Sequence, residues 1–261
     1  MERNYREMII IKTESEISRL KKGGPILADI LRKVAKKVVP GITTGELNGY
    51  AHELITKAGH KPAFLNYQPH GQDYPYPASL ITSVNSEVVH GIPGSKVLKE
   101  GDIIALDLGL NYEGVFLDHA ITVSVGGITT PKDKELISVT EQALYKGIEA
   151  IVPGATVGDI GYAIESYVKP YKLGIVRTLS GHGVGREIHE DPYVPNYGRP
   201  GKGAKLVPGM VIAIEPMLTR GSEEIVVMRD GYTLKTSDNS RSAHFEHTVL
   251  ITEKGAEILT K

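Results

Sequence analysis

Four acidic residues stand in runs too apolar for ordinary surface carboxylates. Asp107 is flanked by Ile103, Ala105, Leu106 and Leu108; Glu215 sits in Val211-Ile212-Ala213-Ile214-Glu215-Pro216-Met217; Glu246 lies in a β-type run over 243–252, with His244 and Thr248 on its own face. The fourth is Asp118, across a turn from Asp107. Asn111-Tyr112-Glu113-Gly114 has turn composition between two β-type runs, which predicts a hairpin. A turn centred between Tyr112 and Glu113 sets Asp107 opposite Asp118, and directly opposed residues have Cβ atoms about 4.5–5.5 Å apart. Carboxylates that close repel each other unless one takes a proton or both hold a cation. Exposed aspartates on a surface hairpin would be the ordinary reading, and the apolar flanks of Asp107 weigh against it.

His182 falls in Gly181-His182-Gly183-Val184-Gly185, where the glycines let the backbone approach a neighbour closely. A lone loop histidine is ordinarily solvated or structural; the company of four semi-buried acids, which need partners, makes this one a candidate ligand. Four carboxylates carry four negative charges, which two divalent cations neutralise. With one imidazole the set is oxygen-rich and suits manganese, iron, cobalt or zinc. Two such ions can activate a water and polarise a carbonyl. The chemistry is that of a hydrolase without a serine or cysteine nucleophile.

The elements that must carry these groups are legible as periodicities. Apolar residues at helical spacing run over 13–39, and Thr13 with Glu16 has the spacing of a capping box. Gly23-Gly24-Pro25 predicts a kink or break in that helix. Further helices are expected after Thr44 and over 131–152 and 156–170, with β-type runs at 81–84, 102–110, 115–125, 210–219, 225–229 and 243–252. The stretch 67–77, rich in Tyr, Pro and Gly, reads as an ordered surface loop.

A weak internal repeat organises the whole. Pro40-Gly41-Ile42-Thr43-Thr44-Gly45-Glu46-Leu47 is echoed by Pro153-Gly154-Ala155-Thr156-Val157-Gly158-Asp159-Ile160, and Gly101-Asp102-Ile103-Ile104-Ala105-Leu106-Asp107 by Gly209-Met210-Val211-Ile212-Ala213-Ile214-Glu215. Both pairs stand roughly 110 residues apart and in the same order, which favours duplication. Each strand of the second pair ends on a carboxylate, so facing halves would bring both acids to one central cleft. The expectation is an α+β domain with pseudo-twofold symmetry, single over 1–261, since no linker divides it.

Composition narrows the classes. The chain of 261 residues is 41% hydrophobic and 23% charged with a net charge of −1, which gives no sign of a nucleic-acid or membrane partner. It has no cysteine, which excludes disulfides, thiolate zinc sites and a cysteine nucleophile. No apolar run reaches spanning length, and Met8-Ile9-Ile10-Ile11 is too short for a signal peptide, so a cytoplasmic protein is expected.

Asn85-Ser86-Glu87-Val88-Val89-His90-Gly91-Ile92-Pro93, the hairpin 107–118, Gly181 through Pro192, Ile214-Glu215-Pro216-Met217 and Glu246-His247-Thr248 together resemble type I methionyl aminopeptidases, over nearly the whole chain and in the family's order. The resemblance implies the pita-bread fold, with a curved antiparallel sheet covered by helices. It implies two divalent ions held by Asp107, Asp118, His182, Glu215 and Glu246. It also implies that His90 bonds the scissile amide nitrogen, that His189 bonds the carbonyl oxygen, and that Glu215 serves as general base. The implied reaction removes the N-terminal methionine of newly made proteins and prefers a small second residue. A monomer with transient ribosome association is expected. The methionine pocket would comprise Phe64, Tyr67, Tyr76, Ile81 and Ile188. Here the chain departs from the family pattern: cysteines common in relatives are absent, Ile188 stands where an aromatic is frequent, and the 67–77 loop is longer.

Three other readings compete. Proline-specific peptidases of the same fold share the metal ligands but usually carry a substantial N-terminal domain, and here the pattern begins almost at residue 1. A non-catalytic binding protein of this fold would typically lose ligands, and all five positions are intact. Type II enzymes would be expected to insert a long segment between Glu215 and Glu246, which are close in this sequence.

Overall fold

Helix entry follows the capping chemistry. Thr13 accepts from the Glu16 backbone while its own N–H donates to the Glu16 carboxylate at 2.7 Å, and Thr43 with Glu46 repeats the box at the next helix. In the computed structural model, which describes residues 9–69, 71–127 and 130–261, helix α1 runs unbroken over Glu14–Ala35. Met8 and His70 lie outside the described residues. The break expected at 23–25 does not occur, because those glycines serve packing. A Cβ on Gly24 would lie 2.1 Å from the Leu259 carbonyl oxygen, and one on Gly23 2.6 Å from Leu117 Cδ1. Gly24→Ala is therefore expected to cost about 2–3 kcal/mol. A lower thermal midpoint would register it, and an unchanged midpoint would show that the helix can simply shift.

The chain continues through α2 (Thr44–Lys57), β1 (Lys61–Pro62), β2 (Leu80–Val84) and β3 (Glu87–Val89) to a long hairpin, β4 (Ile103–Tyr112) and β5 (Val115–Ser124). The second half opens with α3 (Pro131–Glu149) and α4 (Val157–Val168). Strands β6 (Gly174–Ile175), β7 (Ser180–Gly183), β8 (Glu190–Pro195), β9 (Val211–Ile214) and β10 (Met217–Thr219) follow. The last are β11 (Ile225–Val227), β12 (Leu234–Thr236), β13 (Ser242–His244), β14 (Glu246–Thr252) and β15 (Gly255–Ile258). A nine-stranded antiparallel sheet runs β1-β4-β5-β14-β9-β7-β8, with β2 on β4 and β15 on β14; β13-β10-β6 and β11-β12-β3 form two small sheets.

The duplication is visible bond by bond. Thr43 bridges Val97 as Thr156 bridges Lys205; Leu98 N–H donates to Ile42 O as Leu206 N–H does to Ala155 O; Gly101 N–H donates to Val125 O as Gly209 N–H does to Ile251 O. Each half has its own apolar core. One gathers Leu20, Leu31, Leu47, Leu106 and Leu108 beneath α1 and α2, the other Leu136, Ile160, Ile212 and Val249 beneath α3 and α4. This is the expected α+β pair of pseudo-twofold halves, and β5 pairs with β14 across their seam. Among the described residues, no helix is long and apolar enough to cross a membrane.

Two strand expectations need correction. The 210–219 run is two strands, interrupted at Glu215-Pro216, and the 243–252 run is interrupted at Phe245. Proline has no N–H to give to a ladder; at Glu215-Pro216 the chain leaves the large sheet for a small one, and at Phe245 it returns from that small sheet to the large one. The hairpin register also differs. Glu113 and Gly114 form the turn with φ of 50° and 84°, so Asp107 faces Ala120 and Asp118 faces Gly109. The two aspartates are diagonal neighbours rather than directly opposed.

Candidate active site

Asp107 and Asp118 still share a face, because the register differs from the expected one by two residues and side chains alternate with a period of two. Asp118 is near enough that its charge, after burial, helps to raise Asp107 above the usual carboxylate range. Thr248 fixes Asp118 where the β5–β14 ladder lapses: its hydroxyl accepts from the Asp118 N–H at 2.9 Å and donates to the Asp118 carbonyl at 2.7 Å. Glu215 and Glu246 arrive at the two strand breaks. His182 is brought in on β7, whose glycines permit tight pairing: a Cβ on Gly181 would lie 2.3 Å from Ala213 O, and one on Gly183 2.2 Å from Asp191 O.

The five groups converge. Ligand atoms of Asp118, His182 and Glu246 lie within 4.8 Å of one another, and His182 Nε2 is 3.4 Å from Glu215 Oε1. His182 Nδ1 is 2.9 Å from the Gly183 carbonyl, to which it must donate, so Nε2 carries the lone pair. Among the described residues, buried Asp107 Oδ1 and Glu246 Oε1 have no hydrogen-bond partner. Burial, then the neighbouring acids, raises Asp107 and Glu246 well above the usual carboxylate range; burial first of all pushes Asp118 and Glu215 up to about 8. Burial lowers His182 to about 3, so it stays neutral. Crowded acids, orphaned oxygens and a lone-pair nitrogen fit divalent cations.

These groups floor a cavity of about 650 Å³. Phe64, Tyr67, Tyr76 and Ile81 line it, and so do His90 and His189. Ile188 does not: it is buried in the first core with Phe64 and Ile81, while its neighbour His189 takes the cavity side. Tyr67 Oη is 2.8 Å from His189 Nδ1, and the Tyr76 hydroxyl donates to Gly91 O at 2.9 Å, beside His90. The 67–77 loop thus braces both histidines. Burial lowers His90 and His189 to about 4, leaving both neutral near pH 7.

The sequence reading missed two residues. Tyr232 joins the apolar wall, edge-on to Tyr76 at 5.2 Å between ring centres, and nothing in Asp230-Gly231-Tyr232 beyond turn composition marks it. His244 is 2% exposed and places Nε2 3.5 Å from Glu215 Oε2. Carrying the internal repeat through the strand pairs would have found it. His119 and His247 stack on each other with ring centres 4.7 Å apart.

The pattern of metallopeptidase family M24 matches residues 18–253. The chain belongs to that family. A methionine aminopeptidase of Clostridium perfringens is 47% identical to this M24 chain, covering 97% of it and 99% of the relative; methionine aminopeptidase 1 of Bacillus subtilis is 45% identical over 97% and 100%. The crystal structure of a methionine aminopeptidase from Thermotoga maritima superposes with a TM-score of 0.93 at 48% identity, covering 97% of this chain and 100% of that one. Prolidase from Pyrococcus furiosus shares the fold more distantly, with a TM-score of 0.77 at 27% identity, and this M24 chain spans 65% of it. Within M24 the chain belongs with the methionine aminopeptidases, and its architecture is the pita-bread fold.

Proposed function

We propose that the chain removes the N-terminal methionine from newly made polypeptides as a type I methionine aminopeptidase, using two divalent ions and preferring a small second residue. One observation carries this reading: four mutually repelling acids and one neutral histidine meet on the floor of an apolar-walled cavity. Asp107, Asp118, His182, Glu215 and Glu246 would hold the ions. When bound, such ions polarise a carbonyl and make a water nucleophilic near neutral pH.

The remaining work falls to the chain itself. Phe64, Tyr67, Tyr76, Ile81 and Tyr232 bind the methionine side chain and keep water from it. His189 Nδ1 faces the Tyr67 hydroxyl at 2.8 Å, and we assign the hydroxyl as the donor of that bond. The proton of a neutral His189 then sits on Nε2, ready to donate to the scissile carbonyl oxygen as charge develops there. His90 bonds the scissile amide nitrogen. Glu215 takes the proton of the attacking water. The same reading entails one catalytic domain over 1–261, manganese, iron, cobalt or zinc as the ions, and a monomer that meets nascent chains at the ribosome in the cytoplasm.

Metal-loaded protein is expected to release methionine from Met-Ala and Met-Gly peptides and to spare Xaa-Pro dipeptides. Cleavage of the proline substrates alone would replace this reading with that of a prolidase.

A further inference from the structure

The internal repeat gives Asp118 a counterpart. Asp107 and Glu215 end the repeated strand segment, so two residues further on Gly109 matches Met217. The residue opposite Gly109 is Asp118, and the residue opposite Met217 is His244. His244 thus occupies in the second half the place that Asp118 holds in the first. It is a buried polar group whose Nε2 has no hydrogen-bond partner among the described residues, and that nitrogen lies 3.5 Å from Glu215 Oε2.

The two oxygens of Glu215 meet different nitrogens. Oε1 faces His182 Nε2 at 3.4 Å, and that nitrogen carries a lone pair because Nδ1 donates to Gly183 O. Two acceptors facing each other need a proton or a cation between them, and the metal-site reading supplies the cation. Oε2 faces His244 Nε2, where an N–H would satisfy both the orphaned nitrogen and the carboxylate. We infer that His244 is a positioning residue: it donates from Nε2 to Glu215 Oε2 and thereby turns Oε1 toward the other ligands. This rests on the metal-site reading above. His244 Nε2 faces the Glu215 oxygen that His182 does not, so it is assigned to a ligand's orientation rather than to the ion.

Two substitutions in the full-length protein separate the possibilities. His244→Leu keeps much of the volume and removes the donor; His244→Gln keeps an N–H at similar reach and removes the imidazole lone pair. Titration calorimetry with cobalt(II) should show at least one ion bound about 10–100-fold more weakly in His244→Leu, as for other groups that orient ligands. Affinity in His244→Gln should return to within a few-fold of the parent, and kcat on a methionyl peptide should follow the same order. Unchanged cobalt affinity in His244→Leu, with a native circular dichroism spectrum, would overturn the inference. Equal damage in both variants would also overturn it, since it would make the imidazole itself a ligand. The calorimetry needs no substrate, so a parent protein that binds cobalt but leaves methionyl peptides intact would refute the proposed reaction without touching this assignment.

Discussion

Replacing Asp107 or Glu246 with alanine is expected to abolish metal binding and turnover together. Each acid has an oxygen with no partner among the described residues, and each is buried against the other carboxylates. Three carboxylates no longer neutralise two divalent ions, and a cation left partly uncompensated in a buried site is costly. The stability pattern should run opposite to that of an ordinary damaging mutation. Without metal, either variant should be at least as stable as the parent, because one member of a repelling cluster is gone. With metal the parent should gain about 2.7 kcal/mol at a hundredfold excess over its dissociation constant, and the variants little of that. Thermal melts with and without manganese, beside an activity assay, read both effects. Full activity in either variant would remove it from the metal site.

His189→Ala is expected to lower kcat by about 10²–10³-fold, the size of effect seen when one preorganised donor to a developing oxyanion is lost. Metal content should stay at the parent level, because His189 lies on the cavity wall and is bonded to Tyr67 rather than to the acids. Loss of metal on this change would make His189 a ligand. Tyr67→Phe offers a milder version. It keeps the aromatic wall and removes the hydroxyl that sets the His189 tautomer, so kcat should fall by about tenfold, the worth of one hydrogen bond, with KM little changed. In the His189→Ala background the same change should cost almost nothing further, since the two act as a unit.

Much of the site could be read from the chain because its signals are local. A threonine three residues before a glutamate caps a helix wherever it occurs, and an apolar run ending in an acid is visible without knowing its partner. The duplicated run ending at Asp107 and Glu215 placed both acids in one cleft, and the strand bonds of the two halves match pair for pair. The apolar wall was only partly legible. Phe64, Tyr67, Tyr76 and Ile81 reach the cavity, Ile188 turns into the core, and Tyr232 arrives from a distant turn that carries no chemical signature.

By itself the sequence determined which groups could bind cations, how many charges they carry, and that two related halves supply them. Those facts depend on residue type and period, which are properties of the chain alone. The hairpin shows how such information survives an error. Placing the turn one position early changes the pairing by two residues, and because side chains alternate with a period of two, Asp107 and Asp118 remain on one face. Only the tertiary structure decided the rest: which lone pair of His182 points inward, that the 67–77 loop braces both His90 and His189, and that His244 meets Glu215. Each of these depends on where a strand breaks or which element lies across a gap. Contacts between segments far apart in the chain decide such matters, and no local spacing encodes them.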